Sequence, residues 1–373
     1  LNKLLIISHT EHYKNANGVI VGWGPTVTEI NYLSQIFDKI WHAAPLHQNT
    51  APKSSKPYVA GIEYVPLKPS GGKGIQKMSI IRQIPYNLNQ ISKYAPQATI
   101  IQFRAPTGIG VYLLPWLKFI NNTDYWVKYA GNWGAKALPL GNRLQRWWLK
   151  NMLSLNTKVT VNGFWASNKR NIISFENPCL TEDDRALGKQ LITSKKPTKP
   201  YNYCFVGGLN NNKGVALIID AFCKIKHSNI GTLHIVGDGI LRTQLELKAT
   251  KIQTPIIFHG FLNKAAIVEI YKACHFILLP SKSEGFPKVI GEAMNFGCIP
   301  IVSNVSCIGQ YIQNEKNGFL IKPLSEENIM NALQQSLSIS KIDFKNYIEH
   351  NYKKAENFTF NHYLERIQKE IVG

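Results

Sequence analysis

The sequence predicts an α/β protein of two domains, each built on a parallel sheet. Short β-branched or aromatic runs alternate with longer helical stretches, the pattern of strands joined by crossover helices. The pattern occurs twice, on either side of a lysine- and proline-rich stretch near residues 176–201. The chain has 373 residues, 44% hydrophobic and 18% charged, which suits two ordinary domains and is too apolar for a disordered chain.

In the first half, strands are expected at Leu4–Ser8, Lys39–Ala43, Ile62–Pro66, Thr99–Phe103, Tyr125–Ala130, Lys158–Asn162 and Ile172–Phe175. Helices are expected at Thr26–Phe37, Ile75–Lys93 (bent at Pro85), Gly110–Phe119 and Asn142–Ser154. In the second half strands recur at Tyr203–Val206, Thr232–Val236, Ile256–Phe258, Phe276–Leu279, Ile299–Val302 and Phe319–Ile321. The expected division is a first domain over 1–178, a solvated linker over 179–201, a second domain over 202–343 and a helical region over 344–373. The linker reading rests on the turn-rich FENPCLTEDD and the lysines and prolines of KQLITSKKPTKPY. The last region is amphipathic and follows the final strand, so it is expected to cross back to the first domain.

Composition narrows the function classes. The formal charge is +20, and residues 1–178 hold 20 basic against 6 acidic side chains. A basic first half calls for an anionic partner: a membrane surface, a phosphorylated substrate or a nucleic acid. No recognisable nucleic-acid module accompanies the charge, so that partner ranks last. No apolar run reaches the roughly 18–20 residues needed to span a bilayer; Val111–Ile120 is broken by Pro115 and Lys118. The opening LNKLLIISHT reads as a buried strand, not a secretory signal. Six cysteines without CxxC pairing read as free thiols in a reducing compartment. The expected location is cytoplasmic, peripheral at the inner face of the membrane.

The chemistry concentrates in Cys274–Pro323. The strand Phe276–Leu279 runs into a loop, and a helix is expected near Pro287, which suits a first helical position. Backbone N–H groups at such a turn face the carboxyl end of the strand, where doubly wound sheets bind ligands and helix N-termini favour phosphate. Glu284 precedes the helix and Glu292 lies on it. Two carboxylates flanking a helix start can address the hydroxyls at both ends of a sugar nucleotide while the N–H groups between them meet its diphosphate.

The string from Glu284 to Glu292, EGFPKVIGE, resembles the Glu-x7-Glu element of family-4 glycosyltransferases. FVGGLNNNKGVALIIDAF (Phe205–Phe222), LHIVGDG (Leu233–Gly239) and NGFLIKP (Asn317–Pro323) extend the resemblance over most of residues 202–335. It implies the GT-B architecture, two Rossmann-like domains facing each other across a crevice, and retaining sugar transfer from a nucleotide-diphosphate donor. Glu284 then helps position the donor sugar, Glu292 accepts from the ribose hydroxyls, and Lys213 offsets charge on the departing diphosphate. Gly285, Phe286, Pro287, Lys288, Val289, Gly208, Gly237, Gly239, Phe261 and Leu262 are the expected donor-side neighbours. His259 is as readily a structural polar residue as a ligand. Where the family reads Val-Gly-Arg this chain has Val206-Gly207-Gly208, so Lys213 acts alone or Lys288 substitutes.

The first half resembles the family only in patches. Gly22 and Gly24 match a glycine-rich loop near phosphate or acceptor, although glycines after a first strand are also ordinary turn residues. The histidine that many relatives carry after a middle strand is absent from WVKYAGNWGAK. Arg104, Tyr129 and Asn132 are placed to line an acceptor side, or to serve as capping and packing groups. The stretch GNRLQRWWLKNML reads either as a helix lying on anionic lipid or as an amphipathic helix with its tryptophans packed inside. No cofactor is expected beyond the nucleotide sugar as donor substrate, and no metal, since there is no Asp-x-Asp pair. The expected acceptor is a glycan or lipid-linked glycan in surface polysaccharide synthesis. The alternatives are a nonhydrolysing sugar-nucleotide epimerase and a catalytically weak nucleotide-sugar-binding protein.

Overall fold

The computed structural model describes residues 1–72, 78–119, 124–153, 157–165 and 170–373. It divides into two units, Leu1–Phe175 with Leu364–Gly373, and Glu176–Tyr363. The helix start expected at Ile75 and the end expected at Ser154 lie outside the described residues.

In chain order the first unit contains β1 (Lys3–Ile7), β2 (His12–Lys14), β3 (Ile20–Trp23), α1 (Gly24–Leu33), β4 (Lys39–Pro45), β5 (Ser55–Pro57) and β6 (Ile62–Leu67). There follow α2 (Ser79–Tyr94), β7 (Ile100–Ala105), α3 (Gly110–Leu117), β8 (Asp124–Tyr129), α4 (Leu140–Asn151), β9 (Thr157–Asn162) and β10 (Ile172–Phe175). Seven strands form one sheet in the order β10-β9-β8-β7-β1-β4-β6, every pair parallel. The strands are near-continuous apolar runs because both faces are covered, as Leu4, Leu5, Ile6 and Ile7 show by being wholly buried. Spatial order reverses at β1, whose neighbours β7 and β4 lead away in opposite directions. At such a reversal the following loops diverge and leave a ligand crevice.

The expected glycine-rich loop is instead structured. β2, β3 and β5 form a small antiparallel sheet, with Gly18 in the hairpin turn at φ 74°. Gly22 lies in β3 opposite His12, and a Cβ there would come 2.3 Å from His12 Nε2. Gly24 begins α1, where a Cβ would come 2.4 Å from the Ser54 carbonyl oxygen. Both glycines answer close packing within the protein, and Trp23 between them lines a cavity.

The second unit opens with α5 (Glu182–Ser194), continues through β11 (Tyr201–Val206), α6 (Val215–Lys224), β12 (Ile230–Val236), α7 (Arg242–Ala249), β13 (Ile256–Gly260) and α8 (Lys264–Ala273). Then come β14 (Phe276–Leu279), α9 (Lys288–Asn295), β15 (Ile299–Ser303), α10 (Ile308–Tyr311), β16 (Phe319–Ile321), α11 (Glu326–Ser338), α12 (Lys341–Ala355) and α13 (Phe360–Ile367). Its parallel sheet runs β13-β12-β11-β14-β15-β16, so order reverses between β11 and β14.

α5 corrects the expectation of a solvated linker. Thr181 and Asp184 form a reciprocal capping box, and Glu182, Asp183 and Asp184 place negative charge at the positive helix end. Arg185 is buried and donates to Asn295 Oδ1 at 2.7 Å and to the Tyr352 carbonyl at 2.9 Å, with Glu356 2.9 Å away. The C-terminal region also divides differently from expectation. α12 packs on α5 and α9 within the second unit, and only Leu364–Gly373 belongs to the first. There Lys158 Nζ donates to the Ile371 carbonyl at 3.1 Å, and Arg366 sits 4.1 Å from the Phe175 ring centroid. All six cysteines are free, with Cys223 exposed and the others buried. Among the described residues no helix is long and apolar enough to cross a membrane.

Candidate functional site

The loops after β11 and β14 leave the sheet at the second unit's order reversal, and they are tied together. Lys282 N–H donates to the Asn212 carbonyl at 2.8 Å, and Asn212 Nδ2 donates to the Ser283 carbonyl at 2.8 Å. Gly214 makes this approach possible: it holds φ 71°, and a Cβ would lie 2.2 Å from the Pro280 carbonyl oxygen. The neighbouring Lys213 is thereby aimed across the junction, its Nζ 2.5 Å from Glu284 Oε1. Two residues separated by 71 positions meet as a largely buried ion pair, 23% and 10% exposed.

α9 starts directly after this loop. Pro287 occupies its N-cap with no side-chain hydrogen bond, so the helix start is set by backbone alone. Phe286 is buried and stacks on Phe358 at 4.6 Å, so its side chain belongs to the core; Gly285 accepts from Cys307 Sγ through its carbonyl at 3.4 Å. Val289 and Leu262 pack against the core, whereas Phe261 is exposed just beyond β13. Gly237 and Gly239 let the loop after β12 press on the loop after β11: Cβ atoms there would lie 2.0 Å from Gly207 O and 2.4 Å from Leu209 O. At Gly208 the nearest atom to such a Cβ is the Asn210 amide at 3.2 Å, so the space for a longer residue is not closed by backbone. His259 meets His234, Nε2 to Nδ1, at 3.0 Å.

Glu292 lies further along α9. Tyr271 Oη donates to its carboxylate at 3.4 Å. Burial raises the Glu292 carboxyl above the usual carboxylate range, and the Lys264 and Lys288 charges pull it back down. Lys264 itself pairs with Asp184. Lys264 and Tyr271 were not singled out from sequence. Lys264 had a legible signal, a cation opening a helix just beyond a strand's carboxyl end; Tyr271, mid-helix on an apolar face, had none.

The first-unit candidates separate. Arg104 is next to last in β7 and donates to Glu29 Oε1 at 2.8 Å and to Gln102 Oε1 at 3.0 Å. Lys128 reaches the same Glu29 oxygen at 2.6 Å, so one buried carboxylate answers two cations. Tyr129 is in the core with its ring 4.9 Å from Trp133, which corrects its placement on a crevice wall. Strand alternation explains this: Val127 and Tyr129 share the core face of β8, Trp126 and Lys128 the other. Asn132 closes a turn by accepting from Gly134 N–H at 3.0 Å. A cavity of about 670 Å³ opens at the carboxyl ends of β1 and β7, lined by Ser8, Glu11, Trp23, Arg104 and Thr107 among others.

Residues 189–355 match the family described as Glycosyl transferases group 1. The chain is 32% identical over 152 residues to an uncharacterized glycosyltransferase of Methanocaldococcus jannaschii, covering 40% of this chain and 38% of that protein. It is 35% identical over 102 residues to the UDP-Gal:alpha-D-GlcNAc-diphosphoundecaprenol alpha-1,3-galactosyltransferase of Escherichia coli, covering 26% of each. These matches span well under two thirds of the relatives' own lengths. Whole-chain likeness is structural. Anabaena HepE, solved with UDP and glucose, superposes with a TM-score of 0.71 at 16% identity, covering 100% of both chains. The sucrose-phosphate synthase of Thermosynechococcus elongatus gives 0.73 at 14% identity, covering 99% of this chain and 98% of that one. The fold is that of the GT-B glycosyltransferases.

Proposed function

We propose, from the match of residues 189–355 to the group 1 glycosyl transferases, that this chain is a retaining, hexose-transferring glycosyltransferase. The donor is a nucleotide-diphosphate sugar held on the second unit, and the first unit holds the acceptor. The observation that carries this reading is the convergence of Lys213 and Glu284 at the strand-order reversal, beside the start of α9. Lys213 is a cation fixed where diphosphate charge would grow, and a preorganised charge favours the transition state over the ground state. With the α9 N–H groups it offers charge complementarity without a metal ion. Glu284 accepts from donor-sugar hydroxyls, and Glu292 from the ribose.

A panel of nucleoside diphosphates and sugar nucleotides tests this by thermal shift. One nucleotide is expected to raise the melting temperature in a concentration-dependent way, because a ligand specific for the native state stabilises it by mass action. A flat response across the panel would remove the donor site.

The acceptor is proposed to be a glycan or lipid-linked glycan of surface polysaccharide synthesis, met at an anionic membrane face. Support comes from α4. Leu140, Leu144 and Trp147 are exposed at helical spacing beside the exposed Arg143 and Lys150, an apolar stripe with basic flanks. Of its two tryptophans only Trp147 is available, because Trp148 packs against the core. Leu144→Ser with Trp147→Ala is expected to abolish flotation with anionic vesicles while leaving the melting temperature within a degree or so of the parent. Unchanged flotation would remove the membrane face from the proposal.

A further inference from the structure

The first-unit cavity carries chemistry that the donor assignment leaves unused. Ser8, the residue after β1, lines it, and behind Ser8 three rings follow in line. Ser8 Oγ is 2.7 Å from His42 Nε2, and His42 Nδ1 is 2.5 Å from Tyr58 Oη. Tyr58 Oη is 2.6 Å from His12 Nε2, and His12 Nδ1 is 2.7 Å from the Thr10 carbonyl oxygen. Both imidazoles are wholly buried, and burial lowers both, His12 to about 4, so both are neutral at pH 7.

Every proton in the line then has one direction. A carbonyl only accepts, so His12 Nδ1–H donates to Thr10 and its Nε2 must accept from Tyr58. Tyr58 has spent its single proton and accepts from His42 Nδ1–H. That leaves His42 Nε2 to accept from Ser8. Thr10 N–H also donates to Ser8 Oγ, at 3.1 Å. Ser8 therefore has no proton to give; it is almost wholly buried, and one lone pair is what it has left for a hydroxyl seated against the cavity wall. The missing side chain of Gly22 supplies the room for His12 that keeps the line intact.

The rest of the lining is mostly apolar; His9, its pKa lowered by burial, joins it, and the arginine and carboxylate of the lining already have partners. Ser55 Oγ and Thr107 Oγ1 are buried on the cavity wall, with no hydrogen-bond partner among the described residues. Arg104 is answered by Glu29, and Glu11 accepts from Tyr13 Oη at 2.6 Å. Trp23 is 54% exposed and presents an apolar ring face that suits the C–H face of a sugar.

We propose that this cavity holds an uncharged sugar ring of the acceptor, with Ser8 as a positioning residue that accepts a hydrogen bond from one of its hydroxyls. The proposal rests on the first unit being the acceptor side. A hydroxyl held this way has its proton turned toward Ser8 and its own lone pairs turned away, so the locked line selects one orientation of the acceptor. It also selects against a phosphorylated ring, which would meet a cavity whose cation is already paired.

Saturation-transfer NMR on the full chain tests this with methyl β-D-glucopyranoside, methyl β-D-galactopyranoside and N-acetylglucosamine, and with glucose 6-phosphate as the charged comparison. At least one uncharged probe is expected to bind, to weaken about tenfold in Ser8→Ala, and to recover in Ser8→Thr. Tyr58→Phe leaves the cavity wall in place but removes the acceptor for His42 Nδ1–H. It is expected to shift the His42 ¹⁵N resonances to the other tautomer and to weaken the same probe. Stronger binding of glucose 6-phosphate, no binding of any uncharged probe, or unchanged affinity in both Ser8→Ala and Tyr58→Phe would overturn the assignment. Nucleotide binding measured on the same samples separates the two readings. If a nucleotide binds and no uncharged sugar does, the cavity assignment alone falls; if no nucleotide binds the parent chain, the enzymatic reading falls with it.

Discussion

Lys213→Ala is expected to lower sugar transfer by about 10²–10³-fold, the usual loss when one preorganised electrostatic stabiliser is removed. Nucleotide affinity should fall much less. Lys213 is held by geometry that exists before any donor arrives: Gly214 lets the two loops touch, Asn212 ties them, and Nζ lies 2.5 Å from Glu284. On the proposed function, no reorganisation is then needed as negative charge builds on a leaving diphosphate. Gly208 brings no side chain, and Lys213 is the one cation of the loop Gly207–Gly214. Lys213 therefore has no nearby understudy on its own loop. Glu284→Ala should also depress transfer more than binding, since it frees Lys213 for phosphate while releasing the donor sugar. Turnover measured beside calorimetric nucleotide affinity checks both variants. A loss in affinity that accounts for the whole loss in turnover would reduce Lys213 to a binding residue and contradict the role given to it.

Much of the fold was legible because parallel strands buried on both faces leave continuous apolar runs, and Phe276–Leu279, Ile172–Phe175 and Phe319–Ile321 stand at the positions those runs mark. The positions of Glu284 before α9 and Glu292 on it were legible for a different reason, the proline that marks the helix start. What connects Glu284 to Lys213 was not. That contact depends on β11 and β14 being neighbours, and chain order does not state spatial order. The same blindness hid the line from Ser8 to His12, whose members come from β2, β4 and the segments after β1 and β5. What the sequence could not show of Gly22 is its neighbour across the hairpin, His12. Tyr129 was left open between lining the acceptor side and packing, and β8 alternation decides for the core. α5 was read as a linker because TEDD resembles a turn. A threonine three residues before an aspartate is also a capping box, and the buried Arg185 and Gly188 one turn later show the helix docked.

Glu292→Gln should separate binding from stability in opposite directions. On the proposed function, Glu292 as a carboxylate would accept from ribose hydroxyls with the strength of a charged acceptor, about 1.5–3 kcal/mol, so its replacement by a neutral amide is expected to weaken nucleotide binding about 10–100-fold. The same burial that makes this acceptor strong makes its charge costly. It raises the folded-state carboxyl above its ordinary 4.5. Between the unfolded value and that raised value the folded chain binds more protons than the unfolded one, so stability falls as pH rises through the window and the penalty stands in full at neutral pH. Gln carries no such penalty. The variant should therefore melt above the parent at pH 7, and the gain should shrink as the pH is lowered through the window, where the parent carboxyl also becomes neutral. In the parent, nucleotide affinity should decline as acidification enters the same window, earlier than an ordinary carboxylate would dictate, and the variant should lack that decline. Melting curves and calorimetry from pH 4 to pH 8 read both effects. A variant that melts lower at pH 7 would mean that Lys264, Lys288 and Tyr271 overcompensate the burial, and that the carboxylate contributes to the fold as well as to the ligand.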